Sequence, residues 1–211
     1  MRHFILPICL LVAFFSPVFC LAAEQDPLER GAILYNEDQY DQARAIWEAG
    51  EKEGDLACTM ALGTYIYSAG RGAPQSDRKA FAQYMKAAQK DSAEGMSIVG
   101  SCYLYGIGVE KNRDKGIEWL TKAAHGGLVT ASAELGDLYA DGDIVKKDVK
   151  LAAKWHLKAA QEGHPQSQLY IGRAYMTGDG ISQDNAAAKE WLGKALAGGE
   201  DSAEALLKKL E

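Results

Sequence analysis

The stretch LGDLYADGDIVKKDVKLAAKWHLKAAQEG, Leu135–Gly163, decides the fold, because its landmarks return at a fixed interval along the chain. Leu62-Gly63, Val99-Gly100, Leu135-Gly136 and Ile171-Gly172 place successive glycines 37, 36 and 36 residues apart, the period of a two-helix solenoid unit. Each of the last three glycines is followed by a Tyr at plus three (Tyr103, Tyr139, Tyr175) and a Gly at plus six (Gly106, Gly142, Gly178). A Trp comes at plus nineteen (Trp119, Trp155, Trp191), and Lys-Ala starts at plus twenty-two (Lys122, Lys158, Lys194).

Leu135 and Tyr139 share one helical face, and Gly136 beside them removes the bulk that would keep a second helix away. Gly142 ends that helix, and the polar tract to Lys147 is a turn. Asp148 is placed to accept from free backbone N–H groups as an N-cap, with Leu151, Ala152, Trp155 and Ala159 recurring behind it at helical spacing. Gly163 closes this second helix. Such a hairpin has an uncovered apolar side, so it needs a neighbour stacked on it. Trp119, Trp155 and Trp191 keep step with core positions, and removing Trp155 is expected to cost about 3–5 kcal/mol through cavity formation.

With Leu-Gly-x-x-Tyr, the Gly turn and the Trp-x-x-Lys-Ala run in register, the chain resembles the Sel-one-like repeat family, a relative of the tetratricopeptide repeat. In this copy Ile144 replaces the second turn glycine and Leu151 a lysine. The resemblance implies an all-α, right-handed α/α superhelix with first (A) helices on the concave side and second (B) helices on the convex side. Repeats are expected over 27–54, 55–90, 91–126, 127–163 and 164–199, with a cap at 201–210, giving eleven helices and no strands. The first repeat follows tetratricopeptide offsets, with Gly31, Leu34, Tyr40, Ala43 and Trp47. The second carries one extra residue between Gly63 and Gly70, and Gln83 stands in its Trp position beside Phe81 and Tyr84.

Residues 1–23 differ from the rest. Arg2 and His3 precede an apolar run, and Cys20-Leu21-Ala22-Ala23 offers small residues for cleavage, so this segment reads as a secretory signal with an uncleaved anchor as its rival. Residues 24–211 then form one solenoid domain in the periplasm or outside the cell. Losing Arg2 leaves 22 basic against 29 acidic residues, about −7, which disfavours nucleic acid and anionic lipid as partners. Cys58 and Cys102 could pair in an oxidising compartment. Their positions relative to Gly63 and Gly100 differ by seven residues, roughly 10 Å of helical rise, which favours two buried thiols.

No residue pattern makes a positive case for catalysis. His125 and His164 are read at B-helix C-termini and His156 on the side of its helix away from the core. None has metal-ligand spacing, so no metal or other cofactor is expected. Gly106-Ile107-Gly108 and Gly178-Asp179-Gly180 follow helices and recur with the period, so they are turns and not phosphate loops. By analogy with tetratricopeptide grooves, the contacting positions flank Leu-Gly-x-x-Tyr. They select Tyr35, Met60, Tyr67, Tyr105, Asp137, Arg173 and Met176, with Thr64, Ser97, Ser101, Leu104, Asp141 and Leu169 beside them. Leu104 and Leu169 can equally pack between repeats.

The function implied is protein binding through the concave groove by an exported, non-enzymatic monomer. Small exported proteins resembling this family act on toxins, envelope enzymes or assembly factors. An immunity protein against a type VI secreted toxin is the sharpest version, and a scaffold in envelope assembly the alternative.

Overall fold

Short Asp, Ser or Asn side chains cap seven of the eleven helices, and the computed structural model describes residues 26–211. The secretory signal expected over 1–23 lies outside them. Among the described residues there are eleven helices and no strand. The A helices are α1 (Pro27–Asn36), α3 (Leu56–Ala61, continued by a π-helical segment Leu62–Ser68), α5 (Ala93–Tyr105), α7 (Val129–Asp141) and α9 (Pro165–Thr177). The B helices are α2 (Tyr40–Glu53), α4 (Asp77–Ala88), α6 (Arg113–His125), α8 (Val149–Gln161) and α10 (Asn185–Ala197), and α11 (Ser202–Leu207) closes the stack. Asp148 caps α8 by accepting from the backbone of Lys150 and Leu151, and Asp184 caps α10 in the same way. Ser76 caps α4 and Pro165 opens α9. No helix among the described residues is long and apolar enough to cross a membrane.

Each A helix packs on its own B helix, and each B helix on the next A helix, which joins the hairpins into an α/α superhelix. The frame glycine is what lets the helices of a hairpin close. A Cβ on Gly100 would stand 2.8 Å from Leu120 Cγ, one on Gly172 2.7 Å from Leu192 Cγ, and one on Gly63 2.7 Å from the Tyr84 ring. The residue seated on the glycine is therefore the one after the expected Trp position. Leu120 and Leu192 are fully buried, whereas Trp119, Trp155 and Trp191 are only half-buried. Each Trp lies at the edge of a core cluster with a lysine amine over its ring, at 4.4, 5.7 and 4.2 Å for Lys122, Lys158 and Lys194. A half-buried ring leaves no closed cavity behind, so the loss expected for Trp155→Ala falls to about 2 kcal/mol, mostly transfer free energy.

The extra residue of the second repeat is absorbed inside the helix. The π-helical segment Leu62–Ser68 adds one residue between Gly63 and Tyr67, a local widening typical of such insertions. Tyr67 then takes the place of the recurring tyrosine: its carbonyl accepts from Ser76 N–H at 2.8 Å, as Tyr103 accepts from Asn112 and Tyr139 from Asp148. Cys58 and Cys102 are buried free thiols in different core clusters. Burial raises both, Cys58 to about 12 with Asp55 adding to the shift and Cys102 to about 11, which keeps them protonated and unreactive.

Candidate functional site

One position of each of the four later A helices, α3, α5, α7 and α9, two before the recurring tyrosine, forms a row along the A-helix face: Tyr65, Ser101, Asp137 and Arg173, each 36 residues from the next. All but Ser101 are exposed. The expected groove residues divide around this row. Tyr105 is 56% exposed at the end of α5, and Asp137 and Arg173 project from α7 and α9. Tyr35, Met60 and Met176 are half-buried and pack against core clusters while keeping one side open. Of the two readings open for Leu104, packing between repeats holds, since it is fully buried. One placement needs correction: Tyr67 is half-buried and packs on two clusters under Lys79. The aromatic that repeat two offers instead is Tyr65, 46% exposed. The π-helical residue rotates Tyr67 inward and Tyr65 outward.

The N-terminal end of the row is aromatic. Tyr65 stands 5.1 Å from Tyr35 and 5.7 Å from Trp47 between ring centroids, and Arg71 lies over both Tyr35 and Tyr40. The C-terminal end is charged. Glu134 accepts from Ser101 Oγ at 3.1 Å, linking α5 and α7, and its carboxyl is pushed up chiefly by burial. Asp137 is raised by desolvation and by Asp141, although 69% of its side chain still meets solvent.

Behind Asp137 lies a cluster that the sequence reading misplaced. His156 is not on the outer side of α8. It is 3% exposed and seated on Gly136, in the position that Leu120 and Leu192 fill in neighbouring repeats. His164 is not a C-terminal residue of α8 but the N-cap of α9, accepting from Ser167 N–H at 3.3 Å. Ser167 Oγ lies 3.0 Å from His164 Nδ1 and 3.1 Å from His156 Nδ1. His156 also stacks on Tyr170 with centroids 3.9 Å apart, and its Nε2 is 3.5 Å from Asp137 Oδ1. The leucines at the equivalent positions were the available signal that residue 156 faces inward.

Ser167, His156 and Asp137 have the composition of a hydrolytic triad without its access. Ser167 is fully buried, and its hydroxyl is held between two imidazole nitrogens, so no carbonyl carbon can reach it. Among the described residues there is no group of three or more His, Cys, Asp and Glu side chains able to hold a metal.

Burial pushes the His156 imidazole down to about 4, and His164 pushes the same way; solvated Asp137 does not offset this. The unfolded chain, titrating near the ordinary 6.5, then binds more protons than the folded one between pH 6.5 and 4. Stability is present above that window and is lost as pH falls through it. From pH 7 to 5 this single group should remove about 2 kcal/mol. His156→Leu is therefore expected to flatten the acid limb of a denaturation series by that amount. An unchanged slope between pH 7 and 5 would show that the imidazole is not held neutral.

The Sel1 repeat family matches residues 57–92, 93–128, 129–164 and 165–200, more than half of the chain and in phase with the four later hairpins. No curated protein sequence matches. Among solved structures, a Sel1 repeat protein of Oxalobacter formigenes is 26% identical over 86% of this chain and 75% of its own, with a TM-score of 0.68. A protective antigen of uropathogenic Escherichia coli with an SLR fold is 27% identical over 87% of this chain, with a TM-score of 0.76; this chain spans 40% of that protein's length. An immunity protein of Pseudomonas aeruginosa shares the fold at 20% identity and a TM-score of 0.50, over 82% of this chain and 68% of that one.

Proposed function

This chain belongs to the Sel1 repeat family, and from that premise we propose that it binds a partner protein lengthwise along its A-helix face, without catalysing a reaction. The observation that carries this is the row Tyr65–Ser101–Asp137–Arg173, aromatic at one end and charged at the other. Tyr and Arg are residues that contribute most per side chain to protein interfaces, and Tyr105 adds a third large exposed group between the two ends. A small ligand has no comparable use for groups spread over four repeats.

The partner on this reading is a toxin, envelope enzyme or assembly factor met outside the cytoplasm. The secretory pattern of residues 1–23 supports export to the periplasm. Inhibition of a secreted toxin, as an immunity protein, is the sharpest form of the proposal.

Affinity purification from the native envelope tests it, with the parent and with Tyr65→Ala, Tyr105→Ala and Arg173→Ala. All three side chains are exposed, so folding should survive. Each change is expected to weaken capture of the same partner by about tenfold or more, as for an interface anchor. Undiminished capture by all three would place the binding surface elsewhere. Several proteins captured together with none inhibited would replace the inhibitor by a scaffold.

A further inference from the structure

The pocket between α7 and α9 has a volume of about 140 Å³, and Ala133, Asp137, His156, Leu169, Tyr170 and Arg173 are among its lining residues. Its floor holds an imbalance. His156 Nε2 is buried and makes no hydrogen bond, which is costly for a polar atom away from water. The protons can be assigned so that every contact around Ser167 is made. Ser167 N–H donates to His164 Nδ1, which makes that nitrogen an acceptor. The Ser167 hydroxyl then donates to the same nitrogen, whose single lone pair the two donors share, and His156 Nδ1–H donates to Ser167 Oγ. The reverse assignment would leave His164 Nδ1 and Ser167 Oγ facing each other as two acceptors at 3.0 Å.

In this arrangement the enclosed lone pair of His156 Nε2 faces the Asp137 carboxylate at 3.5 Å, at the floor of the pocket that both residues line. Two acceptors at that spacing with no donor between them call for an N–H-bearing cation. Ala133 and Leu169 provide apolar wall for an alkyl stem beside them. The surrounding charge has the same preference. Asp137 and Asp141 lie on α7 and Asp179 in the turn after α9, so three carboxylates surround the Arg173 guanidinium at this end of the face.

We propose that the His156–Asp137 pocket is an anchor site for a cationic side chain, lysine or arginine, presented by the partner. The proposal rests on the A-helix-face reading and gives its C-terminal half a chemistry. The head group would bond the exposed Asp137 Oδ1 and, as that side chain swings aside, His156 Nε2, satisfying a buried imidazole nitrogen left open, while its methylenes lie along Leu169 and Ala133.

NMR titration tests it without any partner. Nα-acetyl-lysine amide, Nα-acetyl-arginine amide and the uncharged Nα-acetyl-norleucine amide are added to isotope-labelled protein while the His156 ring resonances are followed. The two cations should give saturable shifts with millimolar affinity, as suits an isolated head group, and norleucine none. The tighter cation names the residue the partner presents. Asp137→Asn, on an exposed side chain, should weaken the response about tenfold with the amide spectrum otherwise unchanged. No saturable shift up to about 50 mM, or an equal response to norleucine, would overturn the pocket assignment. Because capture of the partner is measured separately, failure here leaves the row Tyr65–Arg173 standing, and failure there leaves the pocket standing.

Discussion

Gly108→Ala is expected to lower stability by about 3 kcal/mol, an unusually large effect for an added methyl group on a turn. Gly108 has φ +69°, where an L side chain is strained by about 1 kcal/mol or a little more. The larger part is steric. A Cβ there would stand 2.2 Å from the carbonyl oxygen of Asp77 and 2.5 Å from its carbonyl carbon, and these atoms belong to the first turn of α4. The inter-helix turn of one repeat lies across the start of the preceding B helix, so relief requires lifting a whole turn from its neighbour. Gly180 repeats the arrangement against Val149 O, also at 2.2 Å. Gly106 provides the control. It has φ +79° but its nearest neighbour would be Lys111 Cβ at 3.4 Å, so Gly106→Ala should show only the conformational strain, about 1 kcal/mol. Denaturant midpoints of the two variants, compared at equal m-value, decide the matter. Equal losses would mean that the turn does not rest on α4.

That turn was legible from the sequence, and the reason is instructive. Gly-x-Gly recurs with the period at Gly70, Gly106 and Gly178, interrupted only by Ile144 in the fourth repeat, and a periodic signal survives without knowledge of tertiary contacts. The same holds for the caps at Asp148 and Asp184 and for the helices between them. What the period could not resolve was rotation within a helix. Trp155 and His156 are consecutive, about 100° apart around the axis, and both lie near the apolar side of α8. Bulk favoured the Trp for the core. The helix seats His156 on Gly136 instead and leaves Trp155 at the edge, where Lys158 covers its ring.

The inserted residue of repeat two posed a related difficulty. Counting located it between Gly63 and Gly70 but could not say whether the helix or the turn absorbed it. A π-helical segment places it before Tyr67, which rotates Tyr67 into the frame and brings Tyr65 to the surface. The His156–Asp137 pocket was out of reach for a different reason. Its groups come from two repeats and from both sides of the α8–α9 link, so no single copy of the motif contains it.

Trp47→Ala should be the most damaging single truncation, costing about 4–5 kcal/mol. Trp47 is 1% exposed and fills the space over Gly31, where a Cβ would lie 2.1 Å from its Nε1. That nitrogen donates to the Leu28 carbonyl at 3.3 Å, so removal also leaves an acceptor of α1 without its partner. The half-buried Trp155 has no comparable enclosure, and the two substitutions should differ by about 2 kcal/mol despite deleting the same atoms. Location sharpens the contrast. Among the described residues α1 and α2 form the terminal hairpin, which has a neighbour on one side only, and nearest-neighbour stacking then predicts local opening before global unfolding. Hydrogen exchange should show the amides of α1 and α2 losing protection while those of α7 to α9 keep theirs. Tyr35 and Tyr65 lean on the Trp47 ring at 5.9 and 5.7 Å, so the aromatic end of the binding face should fail with it, and partner capture should fall although Trp47 itself touches no solvent. A Trp47→Ala protein within about 1 kcal/mol of the parent, with α1 still protected, would refute the packing on which that end of the face depends.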